Sequence, residues 1–140
     1  MKVLIFYHPD ADGITAAAIV RHALQQRYGD VRFEYIRHGY LGEDRRLQEL
    51  RPDGHTQIWA VDISFRPETT RRLQCAFGPD FVWIDHHISA LEAWRDTGWE
   101  DPVGFRDTAH SAAWLSWHHL FAAPAPLAVT WVDKYDLWQQ

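Results

Sequence analysis

The feature that most restricts this chain is an alternation of short apolar runs with polar or amphipathic stretches long enough to be helices. "KVLIFY" (2–7), "VRFEYI" (31–36), "QIWAVDI" (57–63) and "DFVWID" (80–85) read as strands. Between them lie "ITAAAIVRHALQQRYG", "GEDRRLQELRPDG" and "RPETTRRLQCAF", which read as helices. Gly29 stands near the end of the first, Pro52 and Gly54 close the second, and Pro67 comes early in the third. Strands separated by whole helices pair in parallel through right-handed crossovers. The expected fold is therefore α/β, an open parallel sheet flanked by helices, and 140 residues are enough for one such domain and too few for two.

After residue 90 the pattern fades. "ALEAWRDTGW" reads as a short helix or a loop, and "HSAAWLSWHHLF" and "PLAVTWVDKYDLW" as helical or mixed. Trp94, Trp99, Trp114, Trp117, Trp131 and Trp138 crowd this half and are expected to pack in the core or between helices. Cys75, the single cysteine, falls in a helical stretch and reads as an inert core thiol. One cysteine also excludes an internal disulfide and a thiolate zinc cluster, which fits a reducing compartment. The opening "MKVLIFYHPD" is too short an apolar run for a secretory signal or a membrane span, so the cytoplasm is the expected location.

Function is to be sought at the strand ends, because ligands of open parallel sheets bind outside the carboxyl edge. The first strand runs into His8, Asp10 and Asp12, the third into Asp62, and the fourth into Asp85, His86 and His87. Each cluster alone has an ordinary reading: Asp12 could cap the first helix, Asp62 the third, and "DHH" could be a surface loop. All three at matching strand ends point to one shared site. Carboxylates and imidazoles without sulfur suit manganese, magnesium, iron or zinc, and there are more of them than one ion needs. A pair of ions is implied, with Asp62 placed to bridge them, and such a pair binds phosphate oxygens and activates a water for in-line displacement.

Other chemistries lack support. The chain has neither a G-x-G-x-x-G nor a G-x-x-x-x-G-K-[ST] phosphate loop. Ser111 or Thr108 reads as a helix cap, and His118 and His119 as packing or surface residues. Fourteen basic against nineteen acidic residues, a formal charge of -5, argue against a surface that tracks nucleic-acid backbone along its length. They do not exclude phosphate substrates, since bound cations invert the local charge.

The ordered motifs "HPDADG", "VDIS", "DHH" and "VDKYDLW" resemble those of the DHH-type phosphoesterases, in the RecJ-like and nano-RNA hydrolase branch, over residues 3–138. The resemblance implies a Rossmann-like catalytic domain with two manganese ions, magnesium being the alternative, acting on nucleotides or short single-stranded nucleic acid. By position, His8 and Asp10 would ligate one ion, Asp12 and His86 the other, and Asp62 would bridge. His87 would face the substrate phosphate, and Asp85 would be a ligand or the partner that orients an imidazole. Asp133 matches the last carboxylate position, with Asp136 the alternative. Pyrophosphatases of the superfamily carry a histidine where this chain has Phe6, which disfavours pyrophosphate as substrate. The resemblance implies a following, smaller substrate-binding domain that is absent here, so the chain is expected to be either an isolated catalytic domain or one whose site is completed by a partner chain or a second copy. The competing reading is a metal-stabilised module, without catalysis, that binds a nucleotide or a protein.

Overall fold

The structure, a computed structural model, describes residues 1–38 and 45–139, the side chain of Gln139 excepted. Five strands and six helices follow one another: β1 (Lys2–Tyr7), α1 (Ala11–Tyr28), β2 (Arg32–Arg37), α2 (Arg46–Glu49), β3 (Thr56–Val61), α3 (Pro67–Phe77), β4 (Phe81–Asp85), α4 (Ile88–Thr97), β5 (Val103–Arg106), α5 (Ala112–Leu120) and α6 (Leu127–Gln139). All strand pairs are parallel, and the sheet order is β2-β1-β3-β4-β5. This is the α/β fold expected from the alternation, an open parallel sheet flanked by helices.

Both sheet faces are covered, and residues two apart share a face. Leu4 and Phe6 of β1, Ile58 and Ala60 of β3, and Phe81 and Trp83 of β4 meet Leu73 of α3 and Trp94 of α4. Val3 and Ile5, Trp59 and Val61, and Val82 and Ile84 face the other way, against Ala16, Val20 and Leu24 of α1 and Leu115 of α5. Each fully buried side chain of this kind contributes about 1.5–3 kcal/mol, so the double cover is what holds the layers together.

Several details differ from the sequence reading. The helix expected over 42–54 is only Arg46–Glu49 among the described residues, and its expected start at 42–44 lies outside them. β5 was hidden because Pro102 and Gly104 interrupt its apolar pattern and only four residues pair with β4. Gly104 has φ +139, and a Cβ there would lie 1.9 Å from the carbonyl oxygen of Trp83, so this edge needs glycine. Cys75 is exposed, on the outer face of α3, and is not a core thiol. Trp94 is buried, but Trp99, Trp131 and Trp138 are exposed, the last at 81%. Helix α6 turns Val129 and Asp133 inward and Leu127, Trp131, Tyr135 and Trp138 outward. Ser111 does cap α5, its hydroxyl accepting from the Trp114 N–H at 3.2 Å. Among the described residues, no helix is long and apolar enough to cross a membrane.

Candidate metal centre

Register builds the site. Tyr7 pairs with Val61 and Val61 with Ile84, so His8, Asp62 and Asp85, each one residue further on, end in one row. The row lies where α1 leaves β1 toward one edge and α3 leaves β3 toward the other, the switch point at which open α/β sheets bind ligands.

Asp10, not Asp12, caps α1: its Oδ1 accepts from the Gly13 N–H at 2.8 Å, and its Oδ2 lies 2.9 Å from His8 Nδ1. Glycine at 13 is required, because a Cβ there would sit 1.9 Å from the His8 carbonyl oxygen. Asp12 instead turns to α5, where its two oxygens accept from the N–H groups of Ala113 at 2.7 Å and Ala112 at 3.0 Å. A buried carboxylate is thus held by the positive end of a helix a hundred residues away. Asp62 caps nothing: α3 starts at Pro67, after Arg66. Its φ of +58 is the one positive value for a non-glycine among the described residues, a conformation that aspartate adopts more readily than most.

His86 is the hub. Its Nε2 lies 3.0 Å from Asp62 Oδ1, 3.3 Å from Asp12 Oδ2 and 3.6 Å from Asp136 Oδ2, with the side chain 2% exposed. Beside it, His87 Nδ1 is 2.6 Å from Asp85 Oδ1, and its Nε2 is 3.9 Å from Asp62. Asp85 Oδ1 also accepts from the His86 N–H, whereas its buried Oδ2 has no hydrogen-bond partner among the described residues.

Burial and the charges of Asp12 and Asp10 push the Asp62 carboxyl up to about 8, against the pull of its hydrogen bond from His86. Burial opposes a charge on His86, but hydrogen bonds to Asp12 and Asp62 outweigh it and raise the imidazole to about 10. The hydrogen bond to Asp85 raises His87 as well, against burial. Asp136 is raised by burial and by the charge of Asp12. Asp10 is lowered: burial works the other way but is overcome by the Gly13 N–H and by His8. The raised proton affinities of His86 and Asp62 follow from the crowding of carboxylates around them.

Three overlapping groups have ligand atoms within 4.8 Å of one another: His8, Asp10 and Asp62; Asp12, His86 and Asp136; and Asp62, Asp85, His86 and His87. All seven strand-end residues singled out in the sequence are therefore brought together. Asp133 stands outside the groups, with Oδ1 accepting from the Ser111 N–H at 2.6 Å and Oδ2 lying 3.1 Å from His110 Nδ1. Asp136, one turn further along α6, stands inside. The sequence could not choose between them, because residues three apart share a helix face. The sequence reading also missed Gly13, whose signal was its place directly after D-x-D, and the holding of Asp12 by the α5 N-terminus, a long-range pairing that carried no local signal.

The donor set fits hard divalent cations. It is all oxygen and imidazole, Asp62 and His86 are each shared by two groups, and Asp85 Oδ2 is a buried acceptor with no hydrogen-bond partner among the described residues. Fold and site together define an α/β protein with a carboxylate–imidazole rim competent for metal.

The pattern of the DHH family, N-terminal domain, matches residues 2–120, and the chain belongs to that family, one of metal-dependent phosphoesterases. It is 26% identical over 89 residues to the single-stranded-DNA-specific exonuclease RecJ of Bacillus subtilis (strain 168), covering 61% of this chain and 11% of the exonuclease. An uncharacterized protein from Helicobacter pylori G27 has a similar structure, with a TM-score of 0.68 at 20% identity, over 99% of this chain and 44% of that one. The chain thus spans less than half of either relative.

Proposed function

We propose that residues 1–140 form a single catalytic domain of a phosphoesterase that uses two divalent cations, manganese or magnesium, to cleave phosphoester bonds in nucleotides or short single-stranded nucleic acid. The observation that carries this reading is the position of Asp62, whose carboxylate is shared between the His8–Asp10 side and the His86–His87 side of the rim. His8 and Asp10 would hold one cation, Asp12, His86 and Asp136 the other, and Asp62 both. Bound there, the cations would polarise a phosphoryl oxygen and lower the pKa of a water.

The chain's own residues do the rest. Asp85 fixes the Nδ1 side of His87 and leaves Nε2 as the atom toward substrate, and the same hydrogen bond favours the charged imidazole. His87 is partly exposed, at 37% of its side chain, so it can meet a phosphoryl oxygen and stabilise its growing charge. Asp12, tied to the α5 N-terminus, holds its oxygens at fixed positions before any ligand arrives. A lid or partner chain that closes over substrate belongs to this proposal, and the exonuclease relative, eleven per cent of which is matched, supports single-stranded nucleic acid as the substrate class.

Turnover separates this from a metal-stabilised module that only binds. With manganese present, the chain should hydrolyse a p-nitrophenyl phosphate ester or a short RNA, and Asp62→Ala should lose that activity by at least a hundredfold while keeping its circular dichroism. Equal rates in the variant and the wild type would sink the mechanism.

A further inference from the structure

Helix α6 is held from one side. Val129 packs with Ile19 of α1 and Ala113 of α5, and Asp133 accepts from the Ser111 N–H at the start of α5. At about 100° per residue, the opposite face carries Leu127, Ala128, Trp131, Lys134, Tyr135 and Trp138 within an arc of about 120°, and all six are exposed. Leu127, Trp131, Tyr135 and Trp138 leave 59–81% of their surface in water. Among the described residues, the other exposed large apolar side chains stand one by one on β2, α4 and β5, at the two ends of α1, or outside the elements. Scattered side chains of that kind are ordinary, and a contiguous stripe is not.

The stripe has a helix-pairing period. Ala128, Trp131, Tyr135 and Trp138 are spaced three, four and three, the a-d-a-d pattern by which one helix packs along another, over about 15 Å. Lys134 stands at its flank, where a lysine stem covers apolar surface and the ammonium stays in water. The sizes are self-complementary as well. When two such helices run antiparallel with Trp131 of each against Tyr135 of the other, Ala128 falls opposite Trp138, so the smallest side chain meets the largest at both ends.

Area sets the strength of the contact. A wholly buried aromatic side chain removes about 150–250 Å² from water, so three of them and a leucine at these exposures offer about 500 Å². Two copies face to face bury about 1,000 Å², nearly all apolar, which is the size at which specific interfaces begin and well below that of permanent ones. A two-fold contact needs a patch that fits itself, and this stripe does.

We propose that α6 is a homodimer interface, in which two copies of the chain pair their α6 helices antiparallel through Ala128, Trp131, Tyr135 and Trp138 in a reversible, two-fold contact. The proposal is independent of the phosphoester reading, since it concerns the face of α6 turned away from the rim.

Size-exclusion chromatography with light scattering on the full chain tests it. At about 100 μM the mass should be twice the 16.4 kDa of one chain, and at about 1 μM it should fall toward one. Trp131→Lys puts a charge at the centre of the seam and should weaken association by at least about thirtyfold, as loss of an interface anchor does, and Trp138→Lys should weaken it too. Both side chains are exposed in the single chain, so circular dichroism of the dilute variants should match wild type. Ala128→Trp sets large against large and should also weaken the dimer, and Trp138→Ala added to it should restore it. Tyr35→Lys on edge strand β2 and Val103→Lys on edge strand β5 should leave the dimer intact. A single-chain mass at the high concentration, assembly that runs on past two copies, a dimer that survives both lysine substitutions on α6, one lost equally in the β2 or β5 variant, or no restoration in the double variant would overturn the proposal.

Discussion

Asp12 and Asp62 both belong to the carboxylate–imidazole rim, yet replacing them should have unequal weight in the metal-free protein. Asp12 is 2% exposed and accepts two backbone N–H groups from the start of α5. Bonds to a charged group are worth about 1.5–3 kcal/mol each, and stripping one partner from a buried charged set costs about 3–5 kcal/mol. Relief of repulsion does not offset this at pH 7, because Asp62 with its carboxyl pushed to about 8 is then largely protonated and the nearest charge to Asp12 is the His86 imidazolium. Asp12→Ala should therefore lose about 3–5 kcal/mol, or about 10–20 °C in Tm for a domain of this size. Asp62→Asn mimics the protonated acid and can still accept from His86 Nε2, so at pH 7 it should fall within about 1 kcal/mol of wild type. Differential scanning calorimetry in excess chelator reads both. An Asp12→Ala protein that melts within 3 °C of wild type, or above it, would refute the claim that this carboxylate ties α1 to α5.

Three further outcomes follow from the same geometry. Asp62 and His86 both bind protons more tightly when folded, so their contributions are fully present below the unfolded values of 3.8 and 6.5 and are lost as pH rises through about 8 and about 10. Urea unfolding in chelator should therefore lose about 3 kcal/mol of stability between pH 7.5 and pH 9, at about 1.4 kcal/mol per proton and pH unit, and His86→Gln should flatten the slope; a flat wild-type profile contradicts the hydrogen-bonded hub. Asp85→Asn should bring the raised His87 back toward 6.5, as followed by NMR titration of its ring protons, and an unchanged titration would mean that Asp85 does not set that charge. Gly13→Ala should cost about 1–3 kcal/mol and weaken manganese binding, because the added methyl carbon would force the His8 carbonyl aside. Wild-type melting and affinity in that variant would show that the close approach is not needed.

What the sequence by itself determined is whatever a short window encodes: the short apolar runs, the helices between them, and the polar residues at the runs' ends. Parallel pairing follows from the spacing alone, since strands separated by a helix have no tight turn to bring them antiparallel. That His8, Asp62 and Asp85 lie in one row needed the register of three strands, but any parallel sheet with these runs would come close to it. Windows mislead where burial depends on what packs from elsewhere. Trp94 and Trp131 look alike in sequence, yet one lies against Trp83 and the other points away from the protein, because α6 has a single face against the fold and Val129 and Asp133 occupy it.

Only the tertiary structure could decide three things. It chose Asp136 over Asp133 for the rim, because helix periodicity sets which face a residue is on and not how far along the axis the site lies. It sent Asp12 to a helix a hundred residues away, a partner that no local pattern announces. It opened a cavity lined in part by His8, Asp62 and His87, because space between packed elements is a property of their arrangement and is written in no single segment.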